Sequence, residues 1–172
     1  MVKVYRCKIC GEGYIGDEMP SHCPFCGAHK DRIVLANQWS WPKFELTDIS
    51  RKNLEEALTL EISNFEFYFC AAKKTDNEAD QTMFKRLAKI EREHADTISK
   101  LLNADGPDIS KKKDSCNPDN TDNLRESHER EENAIKHYSA FLSQATEERV
   151  KEVFSAIIEI EKDHLSLTEG RI

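Results

Sequence analysis

The sequence predicts a mainly α-helical protein, a four-helix bundle preceded by a small metal-binding module. Three observations lead to this prediction. The first part of the chain is rich in turns and holds two Cys-x-x-Cys pairs. The remainder has apolar residues spaced by three and four, as on one face of a helix. This helical part also repeats itself after a shift of 70 residues.

The internal repeat is centred on a Glu-x-x-His motif. Glu91 and His94 form the first copy, and Glu161 and His164 form the second. The same shift matches further pairs across the two halves: Asn53 with Asn123, Leu54 with Leu124, Glu61 with Glu131, Tyr68 with Tyr138, and Phe84 with Phe154. Because residues three apart lie on one helix face, each motif aims a carboxylate and an imidazole at the same point.

Polar side chains interrupt the apolar stripes at matching positions. Glu61 is the only charged residue on the stripe of the first helix, and Glu131 is its counterpart in the third. A buried carboxylate is costly unless it is paired or bound to a metal. A glutamate from each of two helices and a Glu-x-x-His from each of the other two make up the donor set of di-iron and di-manganese sites in ferritin-like bundles. The predicted ligands are Glu61, Glu91, His94, Glu131, Glu161 and His164.

The expected organisation is a module over residues 1–36, a linker over 37–47 and a bundle over 48–172. We expect helices at about 50–75, 77–103, 121–144 and 147–169, joined between the second and third by one long crossover, as in ferritin-like folds. The crossover contains the run Lys111, Lys112 and Lys113, which we expect to form a solvated loop. Domain swapping through the crossover remains open. Candidate helix N-caps are Ser50, Asp76, Asn120 or Thr121, and Thr146.

Four cysteines define the N-terminal module. Each Cys-x-x-Cys pair is followed by a glycine, which allows a turn with positive φ and directs amide N–H groups toward sulfur. Two such turns brought together form a four-thiolate site, and thiolate favours iron or zinc. Structural zinc ribbons share the spacing. The four cysteines are Cys7, Cys10, Cys23 and Cys26, and the remaining two, Cys70 and Cys116, are expected to be unpaired thiols.

The residues around these cysteines resemble rubredoxin over about residues 3–33. The resemblance rests on Tyr5 two residues before Cys7, on Tyr14, and on the run Cys-Pro-Phe-Cys-Gly from Cys23 to Gly27. The central segment is short, as in the rubredoxin modules of rubrerythrins. Joined to a di-metal bundle, the whole chain resembles rubrerythrin, and the module-first order resembles reverse rubrerythrin.

This resemblance implies a hydrogen peroxide reductase in which one four-cysteine iron passes electrons to a di-iron carboxylate site. It implies reduced rubredoxin or an NAD(P)H-linked rubredoxin reductase as the electron donor. It also implies a homodimer in which the rubredoxin iron of one subunit approaches the di-iron pair of the other.

One position departs from the rubrerythrin pattern. Rubrerythrins carry a further glutamate three residues after the third-helix ligand, and this chain has Ala134 there. The third helix is therefore expected to be regular, and the site to be more symmetric, nearer to bacterioferritin. His128, one turn before Glu131, is either a hydrogen-bonded inner histidine or an additional ligand or proton donor.

Two tyrosines are candidate catalytic residues. Tyr68 and Tyr138 lie seven residues after Glu61 and Glu131, on the same helix faces. Their hydroxyls could donate hydrogen bonds to bound oxygen species or quench radicals, and ordinary packing is the competing interpretation.

The donor set predicts redox chemistry. A carboxylate-rich site with two imidazoles suits iron or manganese, and two adjacent irons supply two electrons together, which matches cleavage of one O–O bond. We therefore expect a non-haem di-iron peroxidase that reduces hydrogen peroxide to water, with dioxygen as a further oxidant. The alternatives are an iron-binding ferroxidase of bacterioferritin type and a non-catalytic interaction protein with a zinc ribbon.

Composition excludes several other classes of function. The net charge of −7 argues against nonspecific nucleic-acid binding, which needs a basic face. No apolar run approaches the roughly 18 residues of a membrane span. Because the N-terminus lacks the apolar stretch of a signal peptide, a cytoplasmic location is expected.

Overall fold

Four long helices and a small sheet make up the part of the chain that the structure, a computed structural model, describes, residues 1–107 and 115–172. The antiparallel sheet has the order β2-β1-β3, from β1 (Lys3–Cys7), β2 (Gly13–Gly16) and β3 (Ile33–Leu35). The helices are α1 (Asp48–Lys74), α2 (Glu78–Leu102), α3 (Asn120–Gln144) and α4 (Glu148–Glu169). The predicted class, a ferritin-like four-helix bundle behind a small metal-binding module, is confirmed.

The bundle consists of two helical hairpins, α1 with α2 and α3 with α4, placed face to face. α1 runs antiparallel to α3, since Asn53 Nδ2 near the start of α1 donates to Gln144 Oε1 at the end of α3, at 3.0 Å. The apolar stripes predicted from the sequence form the core, where Leu54, Phe84 and Phe154 are fully buried. The predicted polar donors of each helix lie inside this core.

The N-cap positions of the four helices differ from those that the sequence indicates. Thr47 Oγ1 accepts from the Ser50 amide at 3.4 Å, Asn77 Oδ1 caps α2, and Asp119 Oδ1 caps α3. The N-cap position of α4 is Glu147, whose side chain makes no cap to its own helix. The expected caps Ser50, Asp76, Asn120 or Thr121, and Thr146 are thus wrong by one to three residues. Each segment offers several neighbouring Ser, Thr, Asp or Asn residues, any of which can accept these bonds.

Glu147 instead links the starts of α1 and α4. Its carboxylate accepts from the Thr47 amide at 2.6 Å and from Ser50 Oγ at 2.5 Å. Burial acts to raise the pKa of Glu147, but these hydrogen bonds, led by that from Ser50, lower it to about 2. The charged carboxylate is therefore the form that the folded state favours.

The N-terminal module lies in the groove between α2 and α4. Lys100 of α2 donates to the Cys10 carbonyl at 3.1 Å, and Arg149 of α4 donates to the Ile9 carbonyl at 2.7 Å. The Arg149 guanidinium also stacks on Trp41, 4.5 Å from the ring centroid, and faces Trp39 at 5.4 Å. The linker tryptophans thus pack on the bundle through this arginine.

The end of the crossover is attached to α1 by a disulfide between Cys70 and Cys116. The expectation that both cysteines are unpaired thiols is wrong, because Cys116 lies beside the C-terminal part of α1. The lysine run 111–113, and the crossover path through 108–114, lie outside the described residues. Among the helices described, none has the length and apolarity to cross a membrane.

Candidate metal centres

The four cysteines of the module come together in one buried cluster. Cys7 Sγ lies 3.7 Å from Cys26 Sγ, and Cys10 Sγ lies 3.8 Å from Cys23 Sγ. A tetrahedral ion with metal–sulfur bonds of about 2.3 Å separates its sulfurs by about 3.8 Å. The observed spacing therefore fits one four-cysteine iron of the rubredoxin type.

The turns that carry these cysteines have the geometry expected from the glycines. Gly11 and Gly27 adopt φ of 84° and 82°, which L side chains rarely tolerate. Amide groups approach the sulfurs, with Ile9 N 3.4 Å from Cys7 Sγ and Glu12 N 3.5 Å from Cys10 Sγ. These donors stabilise thiolate, the form that binds metal.

Six donor side chains from all four helices converge at the centre of the bundle. They form two groups of four, and the groups share Glu91 and Glu161. Glu61 and His94 complete the first group, and Glu131 and His164 complete the second. The four carboxylates are completely buried, and each imidazole is at most 3% exposed.

The two groups are related by an approximate twofold axis, as the sequence repeat predicts. His94 Nδ1 lies 3.1 Å from Glu91, 3.4 Å from Glu161 and 3.6 Å from Glu61. The matching distances from His164 Nδ1 are 3.0 Å to Glu161, 3.3 Å to Glu91 and 3.7 Å to Glu131. The equivalent distances agree within 0.1 Å. Two shared carboxylates between two terminal Glu–His pairs can bridge a pair of metal ions.

The unpaired atoms of the cluster fit metal binding. One oxygen of every glutamate is buried without a hydrogen-bond partner in the part of the chain that the structure describes: Glu61 Oε2, Glu91 Oε1, Glu131 Oε2 and Glu161 Oε1. Buried polar atoms are almost always hydrogen-bonded. Four carboxylates carry about four negative charges, which two divalent cations would balance. The cluster therefore fits a di-iron carboxylate site.

The same residues have strongly shifted pKa values. Burial raises the pKa of Glu61 and of Glu131 well above the usual range. Burial alone would lower the pKa of His94 and His164, but the surrounding carboxylates outweigh it and raise both. Without metal, bound protons therefore neutralise part of the negative charge of the cluster. Metal ions that bind there displace those protons.

Each candidate catalytic tyrosine contacts a carboxylate across the bundle. The Tyr68 hydroxyl donates to Glu131 Oε1, and the Tyr138 hydroxyl donates to Glu61 Oε1. Tyr68 also lies 3.0 Å from Ser127 Oγ. Burial, and next the facing carboxylate, raise the pKa of both phenols well above the usual range, so both stay neutral donors.

Within the described residues, one hydrogen bond joins the module to the di-metal cluster. His94 Nε2 lies 3.0 Å from the carbonyl oxygen of Cys26, while Nδ1 of the same ring faces the carboxylates. The contact joins two residues of one chain. The approach between different subunits that the resemblance to rubrerythrin implied stays a prediction beside this contact.

Two further positions complete the comparison with the sequence predictions. His128 lies outside both donor groups, and its Nδ1 lies 3.1 Å from Thr168 Oγ1. Ala134 is completely buried, and α3 is helical from Asn120 to Gln144.

Sequence reasoning did not identify the role of Arg149. The sequence feature that could have indicated this role is the presence of an arginine in the first turn of α4, where the helix dipole favours acidic residues. It is compensated there by Glu152, 2.8 Å away, and by the Ile9 carbonyl.

Comparisons with known proteins agree with this architecture. Residues 5–33 match the family description "Rubrerythrin, rubredoxin-like domain", and residues 52–169 match "Rubrerythrin". The chain is similar to reverse rubrerythrin-1 of Clostridium acetobutylicum, with 28% identity over 113 residues, covering 59% of this chain and 62% of that protein. No solved structure matches the chain. Because the helical match alone spans most of the sequence, the chain belongs to the rubrerythrin family, with its rubredoxin-like domain placed first.

Proposed function

We propose that this protein is a non-haem di-iron peroxidase that reduces hydrogen peroxide to water with electrons received through its four-cysteine iron. The reaction consumes one peroxide, two electrons and two protons and releases two waters. The observation that carries the proposal is the set of four buried carboxylate oxygens that accept no hydrogen bond from the described residues, beside a histidine that contacts the four-cysteine module. A pair of irons held there supplies the two electrons that cleavage of one O–O bond needs.

In this proposal the six donors divide into two terminal pairs and two bridges. Glu61 with His94, and Glu131 with His164, would each hold one metal. Glu91 and Glu161 would be shared by both metals, since both donor groups include them. The near-equality of the two sets of histidine distances supports equivalent roles for the two halves.

Electron entry is assigned to the contact between Cys26 and His94. A proton on Nε2 lets His94 donate to the Cys26 carbonyl and leaves the Nδ1 lone pair for metal. Cys26 Sγ belongs to the four-cysteine cluster. One residue and one ring therefore separate the two proposed iron sites, within a single chain.

Tyr68 and Tyr138 are proposed to position the terminal carboxylates. Each hydroxyl holds one oxygen of Glu131 or Glu61 and leaves the other oxygen free for metal. A neutral phenol suits this task, because it donates a hydrogen bond without adding a negative charge to the cluster.

Rapid mixing of the fully reduced protein with hydrogen peroxide tests the proposal. We expect reoxidation of the di-iron site followed by return of the ferric four-cysteine absorption. Glu131→Gln should slow peroxide consumption at least about tenfold. Its matched control, Glu132→Gln, changes the next residue of α3, which is exposed, and should leave the rate unchanged. Failure of both centres to reoxidise would overturn the proposal.

The partners follow from the same proposal. Reduced rubredoxin, or an NAD(P)H-linked rubredoxin reductase, would supply electrons to the module in the cytoplasm. A homodimer is the proposed assembly, and light scattering of the purified protein measures it. A monomer would refute the proposed homodimer and would leave the proposed peroxidase reaction unaffected.

An iron-binding ferroxidase is the second candidate, because Ala134 offers no donor and leaves the site symmetric. Iron storage requires a hollow shell of many subunits. Mineral formation by a large assembly would favour this candidate over the peroxidase.

A further inference from the structure

Two histidines and an aspartate meet on the seam between the module and α4, outside both iron centres. Asp163 Oδ2 lies 2.7 Å from His29 Nε2 and 3.6 Å from His22 Nε2. The three donor atoms all lie within 4.8 Å of one another. All three side chains are about one-third to one-half exposed, so a cation from solution can reach them.

The fold of the module places the two histidines side by side. They flank the second cysteine turn, and an isolated β-bridge pairs His22 with His29. The amide of Cys23 donates to the Ala28 carbonyl at 2.7 Å inside this bridge. The imidazole rings lie 4.9 Å apart and nearly perpendicular, at 82°. The closed turn therefore holds both rings at the same edge of the module.

The orientation of the rings favours metal binding through Nε2. His22 Nδ1 lies 3.1 Å from Ser21 Oγ, which directs Nε2 toward Asp163. A hydrogen bond at the second ring nitrogen is the usual support of a metal-binding histidine. Around a tetrahedral ion with bonds of about 2.0–2.2 Å, donors lie about 3.4 Å apart. The His22–Asp163 separation is close to this value, and the His29–Asp163 pair needs to open by less than about 1 Å.

An ordinary ion pair does not require this arrangement. One histidine suffices to pair with Asp163, and exposed pairs contribute little stability. Here a second imidazole faces the same carboxylate oxygen, and the nearby Arg86 guanidinium is engaged with the Pro24 carbonyl.

We propose that His22, His29 and Asp163 form a third metal site, which binds a divalent first-row cation such as zinc and clamps the module to α4. Two imidazoles and one carboxylate suit zinc and its neighbours better than magnesium or calcium. Solvent fills the remaining coordination position, because the site opens into a cleft of about 450 Å³. Two ligands belong to the module and one to the bundle. A bound ion would therefore link the two at the interface where Cys26 contacts His94. The proposal does not depend on peroxidase activity.

Zinc binding to the iron-loaded protein tests the site. Equilibrium dialysis with metal analysis should find one zinc per chain in addition to the full iron content. His22→Ala, His29→Ala and Asp163→Asn should each weaken this binding at least about tenfold. His137→Ala, which changes an exposed histidine of α3, is the matched control and should bind zinc like the parent protein. The ferric four-cysteine absorption checks that each variant is folded, and Asp163→Asn leaves the cysteine turn itself intact.

Two further measurements locate the ion and test the clamp. Anomalous diffraction at the zinc edge should place a peak between the three side chains. Zinc should also slow tryptic cleavage after the exposed Lys43 in the parent protein but not in Asp163→Asn. Absence of extra zinc, equal binding by all variants, or displacement of iron instead of added zinc would overturn the site. Unchanged cleavage with zinc bound would overturn the clamp.

Discussion

Replacing Tyr138 with phenylalanine isolates one hydrogen bond at the di-metal cluster. Tyr138 is completely buried, and its hydroxyl is the donor to Glu61 Oε1. Because Glu61 Oε2 has no hydrogen-bond partner among the described residues, the substitution leaves this carboxylate with only the longer ion-pair contact to His94 Nδ1, at 3.6 Å. A hydrogen bond to a charged group contributes about 1.5–3 kcal/mol. We therefore expect iron affinity to fall roughly 10-fold to 100-fold.

Tyr68→Phe should have a smaller effect, although the two positions match in the internal repeat. Tyr68 shares its hydroxyl with Ser127 Oγ at 3.0 Å, and the serine remains in the variant. Ser127 stands one helical turn before Glu131 in α3, so its hydroxyl can then replace part of the lost donor. The expected order of iron affinity is parent, Tyr68→Phe, then Tyr138→Phe.

An anaerobic competition between the protein and a ferrous chelator measures these affinities, and circular dichroism checks the fold. Tyr14→Phe is the matched control, because Tyr14 stacks on Tyr5 in the module at 6.3 Å between ring centroids. If Tyr138 serves only to fill space, phenylalanine keeps the packing and the affinity stays that of Tyr14→Phe. That result would refute the positioning role.

Three further substitutions test the scaffold around the metal centres. Cys70→Ser opens a disulfide that joins residues 46 apart, so urea unfolding should show a loss of about 4 kcal/mol with no change in iron content; a loss of iron would contradict this. Glu147→Gln should cost about 1–2 kcal/mol at neutral pH, since it removes the charge and leaves one accepting oxygen where Thr47 and Ser50 now use two. The carboxylate's contribution is present above its ordinary pKa of 4.5 and is lost as the pH falls toward about 2, so parent and variant should converge in acid. Arg149→Met should cost about 1.5–3 kcal/mol and increase tryptic cleavage of the linker, whereas Lys151→Met, on the exposed side of α4, should do neither.

The helical bundle and its central donors could be predicted from the sequence because both follow from local patterns. A glutamate on an apolar stripe is costly to bury, so its presence there indicates a partner. The Glu-x-x-His spacing fixes which side chains share a helix face. The shift of 70 residues then matches each half to the other, and the structure brings Glu61 and Glu131 to equivalent positions.

Features that depend on the path of the chain could not be predicted in this way. Cys70 and Cys116 are far apart in sequence, and nothing near either residue indicates the other. The same holds for the bond between Cys26 and His94, which joins residues 68 apart. Such contacts follow from how the module and crossover pack, which no periodicity encodes.

The first turn of α4 explains why the module occupies the groove of its own chain. Glu147 binds the start of α1, and two residues later Arg149 binds the Ile9 carbonyl and stacks on Trp41. Both ends of the linker therefore contact the first turn of α4. These contacts restrict where the module can lie on the bundle. From there the second cysteine turn extends along α4 until Gly27 packs on Ile160, where an added Cβ would lie 3.1 Å from the isoleucine side chain. The approach of Cys26 to His94 thus depends on contacts at both ends of the module, so a substitution at Arg149 should disturb the proposed electron entry without altering any metal ligand.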